Sequence, residues 1–333
     1  MKFFMSNKLL VIGIFILASI IHNESSAQCC AGGGGSPMAG GSSQGVLMKD
    51  QFEINTNFQR TFSNKTLGVD PVIVNPLKSF ETKYLYSKIA YGITSKFTVS
   101  IETGYWFDKT QNSSDTLISK GFGDLIIFPK YDIWNKTTPT AVWEAAIGAG
   151  LKIPIGKFND STFNTIYTHK GPKYFSEEKP PGIQPTTGSN DFIFYGFFLR
   201  GFPELKIKFF TTGTYILKGW NADGVKYGNY GSVSLFGNRM LTSNLSLSLG
   251  WKYEYIAKMR RNTYLSSPLT FNIDFTGSEK TFLVPQIGYT LFKKLTLYGL
   301  YEYPLIQHVN GGQVASFINY TLGLSYRFFA TKP

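Results

Sequence analysis

Residues able to do chemistry are few in this chain, and their spacing rarely supports it. Cys29 and Cys30 are the only cysteines. Adjacent thiolates bind soft metals, but no His or Met stands at a useful spacing. The pair is a weak metal candidate, with an intermolecular disulfide or no role as the alternatives. Beyond residue 27 the histidines are His169 and His308, both expected in outer loops. A hydrolase needs a nucleophile beside a base, and Ser161 or Ser266 pairs with either histidine only arbitrarily. The run "GLKIPIGKF" (residues 150–158) faintly echoes a phosphate loop. Its spacing is off by one, Phe158 stands where Ser or Thr would bind magnesium, and it ends a strand rather than opening a helix. The reading is no enzyme, no catalytic residue and no cofactor.

The chemistry that remains is charge placed by a period of two. In "GFGDLIIFPKYDIW" (residues 121–134), Leu125, Ile127, Pro129, Tyr131 and Ile133 alternate with Asp124, Ile126, Phe128, Lys130 and Asp132. One line is apolar and the other carries three charges. Carried along the chain, the same phase puts Asp124, Lys130, Asp132, Glu144, Lys152, Lys252, Glu254, Glu302 and Arg327 on one side of their strands. If that side encloses water, these residues set solute selectivity or line a self-neutralising interior. The sequence leaves both roles open.

The elements that position them are strands. In "LSLSLGWKYEY", Leu245, Leu247, Leu249, Trp251, Tyr253 and Tyr255 alternate with Ser246, Ser248, Gly250, Lys252 and Glu254. About twelve such segments, most near ten residues, match what a tilted strand needs to cross a bilayer. They lie near 50–62, 84–93, 97–107, 122–133, 140–154, 191–200, 205–216, 228–240, 245–256, 281–291, 295–305 and 316–328. Short connections (94–96, 134–139, 201–204, 242–244, 292–294) alternate with long ones (63–83, 108–121, 156–190, 217–227, 257–280, 306–315). That asymmetry predicts periplasmic turns and extracellular loops. Tyr105, Trp106 and Phe107, with Trp251, Tyr253 and Tyr255, are expected in the interfacial aromatic girdles. Pro129 predicts a bulge or bend, because a strand paired on both sides loses a ladder bond there.

Composition agrees. Hydrophobic residues make up 43% of the 333, aromatics 16% and charged residues 16%, against about 25% charged in average globular chains. The mean hydropathy of -0.07 excludes a bundle of membrane helices. The formal charge of +12 is scattered, with Arg260-Arg261 the nearest thing to a basic run, so no nucleic-acid partner is expected. Lys2 and Lys8, an apolar run over 9–21 and then Ser25-Ser26-Ala27 read as a signal peptide over 1–27. Residues 28–49 are Gly- and Ser-rich and are expected to be a flexible periplasmic segment. The barrel itself should span 50–329.

Four segments carry a resemblance. "GFGDLIIFPKYDIW", "IGAGLKIPIGKF", "YEYPLIQHVNGGQ" and "YTLGLSYRF" resemble, in that order, segments of the outer-membrane proteins of the meta-pathway phenol-degradation type, a transporter family. The resemblance implies a barrel passing small aromatic or apolar compounds inward. Phe329 and "ATKP" after Phe328 depart from the terminal aromatic of a barrel-assembly signal, and the Cys-Cys-glycine leader has no counterpart.

The expectation is an all-β, transmembrane antiparallel β-barrel of about twelve strands in a Gram-negative outer membrane. Its partners would be outer-membrane lipid, a small-molecule solute and, during biogenesis, the barrel-assembly machinery. The alternative is a non-conducting scaffold or receptor working through its long loops, above all 156–190.

Overall fold

The computed structural model describes residues 45–68, 78–113, 115–168, 171–262 and 273–330. Cys29, Cys30, His169 and Ser266 lie outside the described residues, as does the expected signal peptide.

Alternation becomes a closed sheet of twelve strands. They are β1 (Gln51–Ser63), β2 (Ser79–Gly92), β3 (Phe97–Asn112), β4 (Thr116–Phe122 and Asp124–Thr137), β5 (Val142–Pro154) and β6 (Asp191–Phe202). Then come β7 (Ile207–Leu217), β8 (Tyr230–Met240), β9 (Leu245–Ile256), β10 (Ser278–Leu291), β11 (Leu295–Tyr301 and Tyr303–Val309) and β12 (Ile318–Phe329). Each pairs antiparallel with the next, and β12 pairs with β1, leaving no main edge strand. No described helix is long and apolar enough to cross a membrane.

The faces are inverted relative to a water-soluble protein. Ile54, Ile101, Phe194, Leu249 and Leu322 are exposed on the outer wall, while Glu53, Asn55, Ser100 and Glu102 are buried within. In water such a wall would be a continuous apolar patch. In lipid it is what a closed barrel requires, because the ladder satisfies every spanning backbone group. Leu125, Ile127, Tyr131 and Ile133 share that outer wall.

Five tight turns close one end. That between β10 and β11 puts Phe292 and Lys293 at φ +51° and +57°, the geometry of a type I′ hairpin turn. In outer-membrane barrels the short-turn end faces the periplasm.

The structure corrects the sequence reading at several points. The expected long loop 108–121 is a hairpin, in which Thr116–Phe122 pairs back along β3. Register runs unshifted past Pro129, with Ile127 opposite Leu151 and Lys130 opposite Gly148, and the pairing with β5 skips Phe128 and Pro129. The bulge lies instead between Asp132 and Trp134. There Asp132 Oδ1 accepts from the Trp134 N–H at 3.1 Å, replacing a ladder partner. Trp106 is not in a girdle: it points inward, 4% exposed. His308 sits on β11 opposite Glu279 rather than in a loop. The run 156–190 is not one loose loop. Ser161–Thr168 pairs with Gly171–Glu178 as a hairpin, and a 3₁₀ turn at Pro181–Ile183 then sends the chain back inward, burying Ile183 and Gln184. Finally, the end of the expected flexible segment is seated inside the barrel. Leu47 is 4% exposed, and its N–H donates to Thr98 Oγ1 at 2.8 Å.

Candidate functional site

The site is the lumen, and strand phase builds it. Every second residue of each strand points inward, and the nine charges that phase puts on one side of their strands stand on the inner wall. They form three tiers.

At the turn end, residues 45–48 make a strap across the bore. Lys130 Nζ donates to the Gly45 carbonyl at 2.9 Å, and Val46 packs on a cluster containing Phe128, Tyr195 and Phe197. Glu144 reaches the same strap: a Cβ on Gly45 would lie within 1.6 Å of Glu144 Oε1. Only glycine lets the carboxylate approach so closely. Asp132 is buried beside this tier, its carboxylate turned to the bulge. Phe128 occupies the space over two glycines of β5. A Cβ on Gly148 or Gly150 would come within 2.8 or 2.3 Å of its ring.

The middle tier is filled by hydrogen-bonded polar groups. Glu53, 1% exposed, bridges Lys88 and Arg327, each at 2.7 Å. Glu102 accepts from Tyr86 Oη at 2.6 Å and from Ser100 Oγ at 2.7 Å. Tyr298 Oη donates to Asn55 Oδ1 at 3.1 Å and accepts from Asn57 Nδ2 at 3.2 Å. Buried charges persist when paired and hydrogen-bonded.

Above lies a cavity of 240 Å³. Its wall combines Tyr84, Trp106, Ile126, Ile193 and Phe282 with Asp124, Lys152, Lys252, Glu254 and Glu302. Two of its lysines are ion-paired. Lys152 pairs with Asp124 and with Asp191, and Lys252 pairs with Glu302 at 2.9 Å and Glu254 at 3.2 Å. Trp106 Nε1 donates to the Pro185 carbonyl at 3.0 Å, and Lys109 Nζ to the Gln184 carbonyl at 2.7 Å. These contacts hold residues 184–187 over the cavity as a cap.

One buried carboxylate ties the cap down. Asp191, 0% exposed, accepts from Lys152 Nζ and Lys218 Nζ, both at 2.9 Å, Ser189 Oγ at 2.7 Å and the Gly219 N–H at 3.1 Å. Lys218 follows the last residue of β7. Burial, and then the nearby charge of Lys152, push its pKa down to about 8 against the opposing pull of Asp191. On the outer side of the loop, Asp160 accepts from Ser119 Oγ at 2.6 Å and Lys179 Nζ at 2.7 Å. Partial burial raises its pKa, but the two hydrogen bonds outweigh it and hold the carboxyl below its ordinary value.

Sequence phase located Lys152 and Lys252 but missed Asp191, Lys218, Glu53, Lys88 and Glu102. For Glu53, Lys88 and Glu102 the alternation of β1, β2 and β3 was a usable signal. Ser161 Oγ donates to the Asn159 carbonyl. Among the described residues no group of His, Cys, Asp and Glu could hold a metal ion.

No family model and no curated protein matches the sequence. The fold is similar to the COG4313 outer membrane channel from Pseudomonas putida F1, with TM-score 0.60 and 12% identity over 85% of this chain and 97% of that one. A KdgM porin aligns over 82% of this chain and 99% of its own, with TM-score 0.41 and 7% identity. The translocator domain of the autotransporter NalP from Neisseria meningitidis aligns over 85% and 90%, with TM-score 0.45 and 12% identity. The chain is a closed twelve-stranded antiparallel β-barrel of the outer-membrane type.

Proposed function

We propose that this barrel passes a small solute across the outer membrane, a single-ring aromatic or similarly apolar compound. The observation that carries the reading is the capped cavity of 240 Å³ with Trp106, Tyr84 and Phe282 in its wall. A dry cavity of about 150 Å³ takes up benzene, so this one has room for a substituted ring. The lining is polar as well as aromatic: Lys152 and Lys252 are ion-paired, and Arg60, Lys109, Lys218 and Lys280 also border the cavity. The solute enters past residues 184–187, rests in the cavity, and leaves toward the turn end when the strap of residues 45–48 shifts. The resemblance to the phenol-degradation type supports the same solute class. The inverted wall and the fold support an outer-membrane location, assembly by the barrel machinery and no enzymatic role.

The test is conductance of the detergent-purified protein in planar bilayers, together with uptake of a monocyclic aromatic into liposomes. A barrel silent in both assays overturns the proposal and leaves the fold standing.

One observation favours a second reading, a receptor or scaffold. The hairpin of Ser161–Thr168 and Gly171–Glu178 holds Phe163 82% exposed and Tyr174 71% exposed on one face. On that reading, deleting the hairpin abolishes partner capture and spares permeability.

A further inference from the structure

On the outer wall at the turn end, several neighbouring strands carry a cation among their apolar residues. The pairing sets Lys136 of β4 beside Trp143 of β5, Trp143 beside Arg200 of β6, and Arg200 beside Phe209 of β7. All four point outward. One pair further toward the turns, Phe202 lies opposite Ile207 and Ile207 opposite Arg239 of β8. The rings pack on one another. Trp134 stacks on Trp143 at 5.5 Å and 15°, and Phe198 lies 5.8 Å from Trp143.

The Arg200 guanidinium lies 3.6 Å from the Trp143 ring centroid and 4.9 Å from that of Phe202. Stacking orients the cation but does not neutralise it. Among the described residues, Lys136, Arg200 and Arg239 make no ion pair. Glu204, in the turn after Phe202, pairs with none of them either. This contrasts with the lumen, where Lys152, Lys218, Lys252 and Arg327 each meet a carboxylate. Along β6 the outward residues before Arg200 are Phe192, Phe194, Gly196 and Phe198, which is the lipid-facing band. Arg200 interrupts that band one outward position before Phe202, near its turn end.

We propose that Lys136 and Arg200, flanked by Arg239, bind the headgroup of an anionic phospholipid of the periplasmic leaflet, with its acyl chains lying along Trp134, Trp143 and Phe198. Lys136 and Arg200 sit two strands apart, about 10 Å between backbones. Their long side chains bring both charges to one phosphate. The inference rests on the barrel spanning a membrane and is independent of solute passage.

Native mass spectrometry of the full-length protein in detergent, titrated with phosphatidylglycerol or phosphatidylcholine, tests it. Each cation near an anionic headgroup is worth about a factor of five. The expected result is a phosphatidylglycerol adduct at least about tenfold tighter than the phosphatidylcholine one. That preference weakens with salt and is lost in K136Q/R200Q/R239Q. Arg200→Gln alone removes part of it, and Lys120→Gln, at the loop end, removes none. Equal binding of the two lipids by the unmodified protein overturns the proposal, as does an undiminished preference in the triple variant.

Discussion

Replacing Asp191 by Asn keeps the shape of the side chain and removes the one charge that ties down the cap. Two ammonium groups and two loop donors converge on that carboxylate. Lys152 retains Asp124, but Lys218 has Asp191 as its one ion-pair partner among the described residues. Breaking a buried pair from one side costs about 3–5 kcal/mol. A ceiling follows from the lysine itself. It can shed its proton, and from its folded pKa of about 8 that costs only about 1.4 kcal/mol at pH 7. Barrel strands need not unfold to relieve the strain, because residues 181–190 and 218–222 can lift away. At about 1.4 kcal/mol per factor of ten, the lifted population rises by about tenfold. Hydrogen exchange read by mass spectrometry should show this as faster exchange confined to those two segments. Lys218→Met in the D191N background removes the stranded charge and should restore part of the protection. Unchanged exchange in D191N would refute the idea that Asp191 anchors the cap, and so would loss of protection spread evenly over the strands.

Other consequences can be checked separately. The folded pKa of Lys218, about 8, lies below its ordinary value of 10.5, so the lifted state binds more protons between those values. Anchoring of the cap should therefore strengthen as pH rises from about 8 to 10.5, read by the same exchange experiment. Asp160 has the opposite dependence. Its folded pKa is below the ordinary 3.8, so its contribution is present above 3.8 and lost as pH falls through the folded value. Limited proteolysis in mild acid should find the hairpin protected until that point and released below it. Thr98→Val with Lys130→Met removes two of the hydrogen bonds that hold the strap, at about 1–3 kcal/mol each. Conductance or solute uptake should rise several-fold, and an unchanged value means the strap does not obstruct the bore. Gly150→Ala drives a Cβ into the Phe128 ring and to 2.8 Å from the Ile127 carbonyl. Overpacking of about 1–3 kcal/mol should lower the temperature at which heat-modifiable gel mobility is lost, while Ala149→Val on the outer wall leaves it unchanged.

Much of this molecule is legible in its sequence because a barrel writes its two environments into odd and even positions. Ile127 and Lys130 belong to opposite walls by parity alone, and the same rule carries Lys152, Lys252 and Arg327 to the lumen. What parity does not carry is chain that returns to the interior without being a strand. Val46 and Leu47 are two apolar residues at the end of a glycine-rich run, too few to show a period. "PGIQPTTGSND" (residues 181–191) reads as polar loop, yet its carbonyls serve Trp106 and Lys109 across the bore. Pro129 drew the expected irregularity because it lacks an N–H. The irregularity went to Asp132 instead, because a short carboxylate can take the place of a ladder partner for Trp134.

The Glu53–Arg327 pair joins residues 274 positions apart in the chain. They face each other across the junction of β1 with β12. A slip of one residue at that junction would swing Glu53 into the hydrocarbon, and a slip of two would leave it opposite Ser325 or Phe329 in place of Arg327. The last strand to be made is thus checked against the first by a single charge. Of the ways this sheet could zip shut, the pair selects the one that keeps Glu53 and Arg327 out of the oil.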